Sequence, residues 1–258
     1  MYKKSKLQLV AIILSSLLIT SNGLAASDNI TLKKRKWSFD GITGKVDKAS
    51  AQRGFQIYKQ VCSSCHGLKY ISFRNLESIG FSNEEIKALA ASYEVEDGPD
   101  DTGQFFKRPG IISDRIPSPF KNEEEARAAN NGAYPVDQSL IIKARADGAN
   151  YMYSLMTGYS DPPANFQLGE NMYYNAYFPG HQIAMAPPLA DNILQYQDGT
   201  EATVEQMAVD IVNFLQWAAE PEMEKRKNLG IASIVFLIIA TILFYLSKKR
   251  IWRNINSD

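Results

Sequence analysis

The chain has 258 residues, with 28 basic side chains balancing 28 acidic ones and only two cysteines. A neutral total offers nothing to the phosphate backbone of a nucleic acid, and two cysteines cannot build a disulfide framework. About two hundred residues remain once the two apolar ends are set aside, enough for one sizeable core.

Residues 1–26 read as an export signal. Lys3, Lys4 and Lys6 precede an apolar stretch from Leu9 to Ile19, and the small residues of "TSNGLAAS" suit cleavage after Ala25 or Ala26. The alternative, an uncleaved anchor, has an apolar run that is short for a span. Export places the body, residues 27–224, in an oxidising compartment, where thiols must be used or protected.

A first helix is predicted across "ASAQRGFQIYKQV", where Phe55 and Tyr58, and Ile57 and Val61, share a face. Gly54 sits inside it, a position where glycine is unfavourable unless another backbone comes close. The middle of the chain is punctuated by proline and glycine, with short helical pieces expected in "NEEEARAANNG" and "QSLIIKARADG" and few alternating strand-like runs. A last soluble helix is marked by Thr203 and Gln206 at capping-box spacing, followed by the stripe Val204, Met207, Ile211, Phe214, Leu215 and Ala218, with Pro221 closing it. Gly54 facing this aromatic-rich helix would let the two cross tightly. Leu229 to Leu246 carries no charge over eighteen residues, about 27 Å of helix. It predicts a membrane span over 225–247; basic flanks on both sides make the positive-inside rule weak, and it is the export signal that places the short tail at 248–258 in the cytoplasm. The fold class expected is mainly α, with long ordered loops and one carboxyl-terminal transmembrane helix.

Charge is unevenly spread. Between Tyr70 and Glu224 there are 24 acidic against 9 basic residues. Solvated loops account for such a surplus, and so does a basic partner drawn by complementary fields. The runs Glu94–Asp101 and "NEEEAR" are the candidates for such a face.

Both cysteines and one of the two histidines lie within "QVCSSCHGLKY", as Cys62, Cys65 and His66. A disulfide across two residues closes too small a loop to stabilise much. Zinc needs about four ligands, and beyond these three only His181 and carboxylates remain. A thiol redox centre has the right Cys-X-X-Cys spacing but lacks its usual α/β context. Haem uses every atom of the motif: two thioether bonds to Cys62 and Cys65, and His66 placed to bind iron. One covalently bound haem c is therefore expected. For the sixth ligand, most methionines read otherwise: Met152, Met156 and Met207 as core, Met172 in a polar loop, Met223 beside the membrane. Met185 stands in a loop stiffened by Pro179, Pro187 and Pro188, and on residue type alone it competes evenly with His181. An open sixth position would instead suit a peroxidase-like haem enzyme.

Several long segments, in order, resemble the bacterial form of the cytochrome c1 family, the haem subunits of ubiquinol–cytochrome c reductase (the bc1 complex). They are "QVCSSCHGLKYISFRNL", "ARAANNGAYPVDQSLIIKARADGANYMYSLMTGY", "YFPGHQIAMAPPL" and "FLQWAAEPE" followed by a single span. The resemblance implies His66 and Met185 as the axial iron ligands and leaves His181 as a loop residue. It implies Arg145 beside a haem propionate, and Asn130, Ala133, Pro135, Tyr151, Phe178, Ile183 and Pro188 lining the pocket, although core packing accounts for each residue type equally well. Val136 and Gln138 depart from the family's pattern in "YPVDQSL". The implied function is one-electron transfer from the Rieske iron–sulfur protein to a cytochrome c, as a redox subunit with no bond-making chemistry of its own. The implied partners are cytochrome b, the Rieske protein, cytochrome c and the membrane, in a dimeric complex at the bacterial inner membrane with the haem domain in the periplasm. A free-standing, membrane-tethered electron shuttle is the alternative.

Overall fold

A computed structural model describes residues 30–254; residues 1–29, with the expected export signal over 1–26, and the last four residues lie outside the described residues. The soluble domain is built on two crossing helices. Helix α1 (Lys48–Gln60) starts where Asp47, in extended conformation, accepts a hydrogen bond from the Ser50 amide (3.1 Å). It buries Ala51, Gly54, Phe55, Ile57 and Tyr58. Three short helices follow: α2 (Asn83–Ala91), α3 (Glu123–Ala129) and α4 (Gly148–Met156). Helix α5 (Val204–Ala219) is capped by Thr203, which accepts from the Gln206 amide at 3.2 Å. The expected capping box is only half made, because the Gln206 side chain turns inward to Asp210 (3.1 Å).

Gly54 is what lets α1 and α5 meet. A Cβ there would collide with the Asp210 carbonyl oxygen and stand 2.6 Å from the Phe214 Cβ. Around this crossing Phe214 packs on Phe55 and Tyr58, with ring centroids 5.6 and 5.7 Å apart. Fully burying one such aromatic stabilises by about 1.5–3 kcal/mol. The polar side of the crossing is a buried ion pair. Asp210 is fully buried and accepts from Arg53 through two bonds (2.9 and 2.8 Å) and from Ser50 Oγ (2.7 Å). These bonds, that from Asp210 foremost, hold the Arg53 guanidinium above its ordinary pKa.

Strands are few and short among the described residues. β1 (Glu94–Asp97) pairs antiparallel with β2 (Phe106–Pro109), Glu94 opposite Pro109 and Asp97 opposite Phe106. The two-residue strands β3 (Tyr173–Tyr174) and β4 (Gln182–Ile183) pair in the same sense. Between them His181 takes a left-handed φ of 56°, and its ring stacks on Tyr174, so it serves the hairpin as a loop residue.

One expected helix is absent. "NEEEARAANNG" does form α3, but "QSLIIKARADG" is a run of single turns, with helix beginning only at Gly148. The Gln138 amide is drawn off to the Gly67 carbonyl (2.9 Å), and Asp147 adopts a φ of 52°, which no helix tolerates. A side chain at 148 would collide with the Ile142 carbonyl oxygen, so the chain folds back on itself at a glycine. Ile141 and Ile142 are nevertheless buried, as their apolarity predicts.

Residues 33–37 run along α4. The Lys33 amide bonds Ser154 Oγ (2.9 Å), and the Asn150 carbonyl oxygen accepts from both the Arg35 amide and Trp37 Nε1. Helix α6 (Met223–Ile251) then leaves the domain; it contains an eighteen-residue window of mean hydropathy 2.7 with none of it buried, long and apolar enough to cross a membrane. It begins earlier than the uncharged run, because Met223 still belongs to the soluble core.

Candidate haem site

Helix α1 ends at Gln60, and the chain tightens into a single 3-10 turn over Cys62–Ser64. The Cys65 and His66 amides both bond the Cys62 carbonyl (3.1 and 2.8 Å), so the two cysteines and the histidine are held on one short arc. Both cysteines are unpaired. Burial of its sulfur pushes the Cys62 thiol up to about 12, the Gln138 side chain offsetting this in part. A thiol that stays protonated at neutral pH is a poor redox nucleophile, which argues against a thiol–disulfide centre.

His66 is fixed from two sides. Its Nδ1 lies 2.7 Å from the Val136 carbonyl, and its own carbonyl accepts from Tyr58 OH (3.1 Å). A carbonyl can only accept, so Nδ1 must carry the proton and Nε2 is left with a free lone pair. Burial lowers the His66 pKa, which keeps the imbalance in favour of the neutral ring. A neutral imidazole oriented through its second nitrogen is the form that ligates a metal.

The other expected residues fall into a consistent class. Asn130, Ala133, Pro135, Tyr151, Phe178, Ile183, Met185 and Pro188 are all half-buried, while Arg145 is exposed. Tyr151, Phe178, Ile183 and Met185 pack against the buried core on one side and stay partly open on the other. Such partial burial leaves an open side that a bound group could cover, and it suits side chains at the rim of the core equally well. The Arg145 guanidinium stands 6.0 Å from the Tyr151 ring centroid and forms no ion pair among the described residues. Asn130 closes α3 by donating to the Ala126 carbonyl (2.7 Å). Met152, Met156 and Met207 are buried in the core, as their stripes predict.

The roles of two contributors were invisible in the sequence, and a third left only a faint mark there. Val136 acts through its backbone, which no side-chain pattern announces. Tyr159 donates its hydroxyl to the Met185 carbonyl (3.1 Å), tying the methionine loop to the end of α4. Gln138 has a buried carbonyl oxygen with no partner; its departure from the family's apolar residue was the only signal. A shallow cleft beside Cys65 is lined by Gly67, Lys69, Glu123, Tyr134, Pro135 and Asp137.

These residues fit a covalently held porphyrin. The two unpaired thiols supply the attachment, the free Nε2 of His66 a ligand, and the half-open apolar side chains a face that a flat ring would seal. A mainly helical domain with this arc and a single apolar anchor is a membrane-anchored c-type cytochrome, and its cofactor is a covalently bound haem c. The chain belongs to the Cytochrome C1 family, whose model matches residues 37–255. It is 45% identical to "Cytochrome c1" of Rhodospirillum rubrum, over 95% of this chain and 97% of that one. It is 49% identical to "Cytochrome c1 2, heme protein, mitochondrial" of Arabidopsis thaliana, over 86% of this chain and 72% of the relative. With "Cytochrome b/c1" of Bradyrhizobium diazoefficiens it shares 46% identity over 85% of this chain and 35% of that protein.

Proposed function

We propose that the chain is the electron-transfer subunit of ubiquinol–cytochrome c reductase, taking single electrons from the Rieske iron–sulfur protein and passing them to a cytochrome c. The observation that carries this is the His66 arrangement: Nδ1 committed to the Val136 carbonyl and Nε2 free, directly after two unpaired cysteines. Cys62 and Cys65 hold the haem, and His66 and Met185 are its axial ligands. When bound, the haem supplies a one-electron couple at its iron. The chain's residues set the conditions for it. Val136 orients the imidazole, and a thioether opposite a histidine raises the potential. Tyr151, Phe178, Ile183 and Pro188 exclude water from one face, with Asn130, Ala133 and Pro135 on the α3 side. Arg145, unpaired and beside Tyr151, is free to meet a propionate, where a guanidinium offsets the cost of burying a carboxylate.

No substrate bond is made by this subunit; the quinol chemistry belongs to its partners. The relative from Bradyrhizobium, whose name joins the two cytochromes, supports cytochrome b as a stable neighbour. The export-signal reading of residues 1–26 supports a domain over 27–224 facing the periplasm, a span over 225–247 and a cytoplasmic tail at 248–258 at the inner membrane; a dimeric complex is what the family resemblance implies. Of the two acidic runs, α3 has its first turn at the cleft beside Cys65, which supports Glu123–Glu125 as part of the face met by cytochrome c.

The decisive experiment is isolation of the native membrane complex with haem typing, alongside a haem stain of the denatured chain. The expected result is one covalent haem on this chain, with two b haems and an iron–sulfur centre co-purifying. A chain colourless after denaturation refutes the haem assignment, and a coloured chain that purifies alone leaves the free-standing shuttle. The Met185→Leu variant is expected to shift the oxidised spectrum and lower the potential; an unaltered spectrum removes Met185 as ligand.

A further inference from the structure

Between the strap along α4 and the start of α1, the chain makes a compact loop over residues 37–45. It is closed at its neck by the Lys45 amide on the Ser38 carbonyl (3.0 Å), and the Trp37 amide bonds the Asp40 carboxylate (2.8 Å). Gly41 supplies the left-handed turn with φ 72°. Trp37 and Phe39 are buried and stacked, with centroids 5.4 Å apart, and fix the loop to the domain. At its tip Ile42 is 73% exposed. One exposed isoleucine is ordinary at a protein surface; what sets this one apart is the anchored loop that carries it and the place where that loop lies.

The loop is also tied to the membrane helix. Lys227 Nζ donates to the carbonyls of Phe39 (2.7 Å) and Gly44 (3.0 Å), the two residues that bracket the tip. Met223 is the last core residue of α6, and Lys227 stands one turn beyond it, roughly 6 Å further along the axis. Leu229, where the uncharged run begins, is only about 3 Å beyond Lys227. From residue 228 through 239 every side chain is exposed. Among the described hydrogen bonds between α6 and the rest of the domain, those to this loop lie furthest along the helix toward the apolar run.

Its charge is opposite to that of the rest of the domain. Residues 33–48 contain six basic and two acidic side chains, whereas 70–224 are strongly acidic. The two acids are occupied: Asp40 in the loop turn and Asp47 in capping α1. Lys36, Lys45 and Lys48 are exposed and form no ion pair among the described residues.

We propose that the loop over residues 37–45 is a second membrane contact, with Ile42 entering the interfacial layer of an anionic bilayer and Lys36 and Lys45 meeting lipid headgroups. An apolar tip among free lysines, beside a spanning helix, is the composition that interfacial anchors use, and lysine stems can lie along the boundary with their charge in the headgroups. Joined to α6 through Lys227, the contact fixes the tilt of the domain over the membrane. The inference stands on the anchor helix and is independent of the haem assignment.

The test places a nitroxide at Ile42→Cys in the full chain, within its native complex in nanodiscs of phosphatidylcholine and phosphatidylglycerol. A chain without the introduced cysteine is labelled in parallel, and Asp101→Cys, in the exposed β1–β2 loop, serves as the water-facing control. Collision with oxygen, which partitions into lipid, is compared with collision with a nickel chelate, which does not. The expected oxygen-to-nickel ratio at 42 is several-fold above that at 101, and Lys36→Gln with Lys45→Gln brings it down to the value found in pure phosphatidylcholine. A ratio at 42 equal to that at 101 overturns the proposal. So does protection from both reagents, which would mean that protein covers the tip. A ratio unmoved by the double lysine variant overturns the headgroup contact.

Discussion

At His66 the group that decides the chemistry is the carbonyl of Val136, not a side chain. It fixes the tautomer, and a residue seventy positions away in sequence thereby determines which nitrogen can ligate. On the opposite loop the equivalent role falls to Tyr159. Burial pushes its phenol above the ordinary range, so the hydroxyl is a donor at any physiological pH, and it donates to the Met185 carbonyl. Tyr159→Phe removes one hydrogen bond, costing about 1 kcal/mol, without altering the ligand itself. The expected outcome is a near-native melting temperature with faster carbon monoxide binding to the reduced protein, since the methionine loop opens more often. Binding as slow as in the parent would mean that the loop is held by its prolines alone. The buried Asp210 is a harsher case. Asp210→Ala strands the Arg53 guanidinium, only 17% exposed, without its main partner, and loss of one member of such a pair costs about 3–5 kcal/mol. Thermal unfolding of the detergent-solubilised protein reads this directly.

Among the elements, the α1–α5 crossing carries the fold and is the part most openly written in the sequence. The apolar stripes predict both helices, and Gly54 within α1 announces the close approach. Gly54→Ala is expected to destabilise by about 1–3 kcal/mol or more, because the methyl must displace backbone at Asp210 and not a flexible side chain. A variant as stable as the parent would show that the helices can separate at no cost. The segment from Gln138 to Asp147 was illegible for the converse reason. Its apolar run of Leu140, Ile141 and Ile142 satisfies a helical pattern, but the chain turns at Asp147, with φ 52°, and folds back so that Gly148 lies against the Ile142 carbonyl. The site divides in the same way. Cys62, Cys65 and His66 are readable because the covalent attachment proposed for them demands a fixed spacing, whereas the Val136 carbonyl and the Tyr159 hydroxyl are recruited only by tertiary folding. The β1–β2 hairpin adds a pH dependence. Arg108 pairs with Asp97 and, at 2.6 Å, with Asp114, and holds both carboxyls below their ordinary pKa. Depressed folded values mean that this support is complete above the unfolded pKa of about 3.9 and is lost as pH falls through the folded values. Amide exchange in residues 94–109, corrected for intrinsic rates, is therefore expected to speed up below about pH 4. Protection unchanged at pH 3 would assign the hairpin's order to its backbone pairing alone.

For the whole molecule, charge is sorted along the chain: basic at 33–48 next to the anchor helix, acidic over 70–224 where the proposed haem wall and the α3 cleft lie. Local pairing trims the acidic field but does not cancel it. In the hairpin Glu94 is matched by Lys107 and Asp97 by Arg108, while Glu96 and Asp101 form no ion pair among the described residues. In α3, Glu123 is matched by Arg127 four residues on, leaving Glu124 unpaired. Exposed pairs such as these contribute little to stability, about 0–1 kcal/mol each, so the uncompensated carboxylates have no structural work to explain them. A field of one sign steers an oppositely charged acceptor, and the effect fades once the Debye length shrinks to about 8 Å at physiological salt and further above it. The rate of electron transfer from the reduced complex to a basic cytochrome c is accordingly expected to fall steeply with ionic strength. Glu124→Gln, next in the chain to the cleft-lining Glu123, is expected to flatten that slope more than Glu96→Gln in the hairpin, with melting temperatures unchanged in both. A salt-independent rate would show that encounter is not guided by charge, and equal slopes in the two variants would show that the acceptor senses the net charge of the domain and not the face beside the haem.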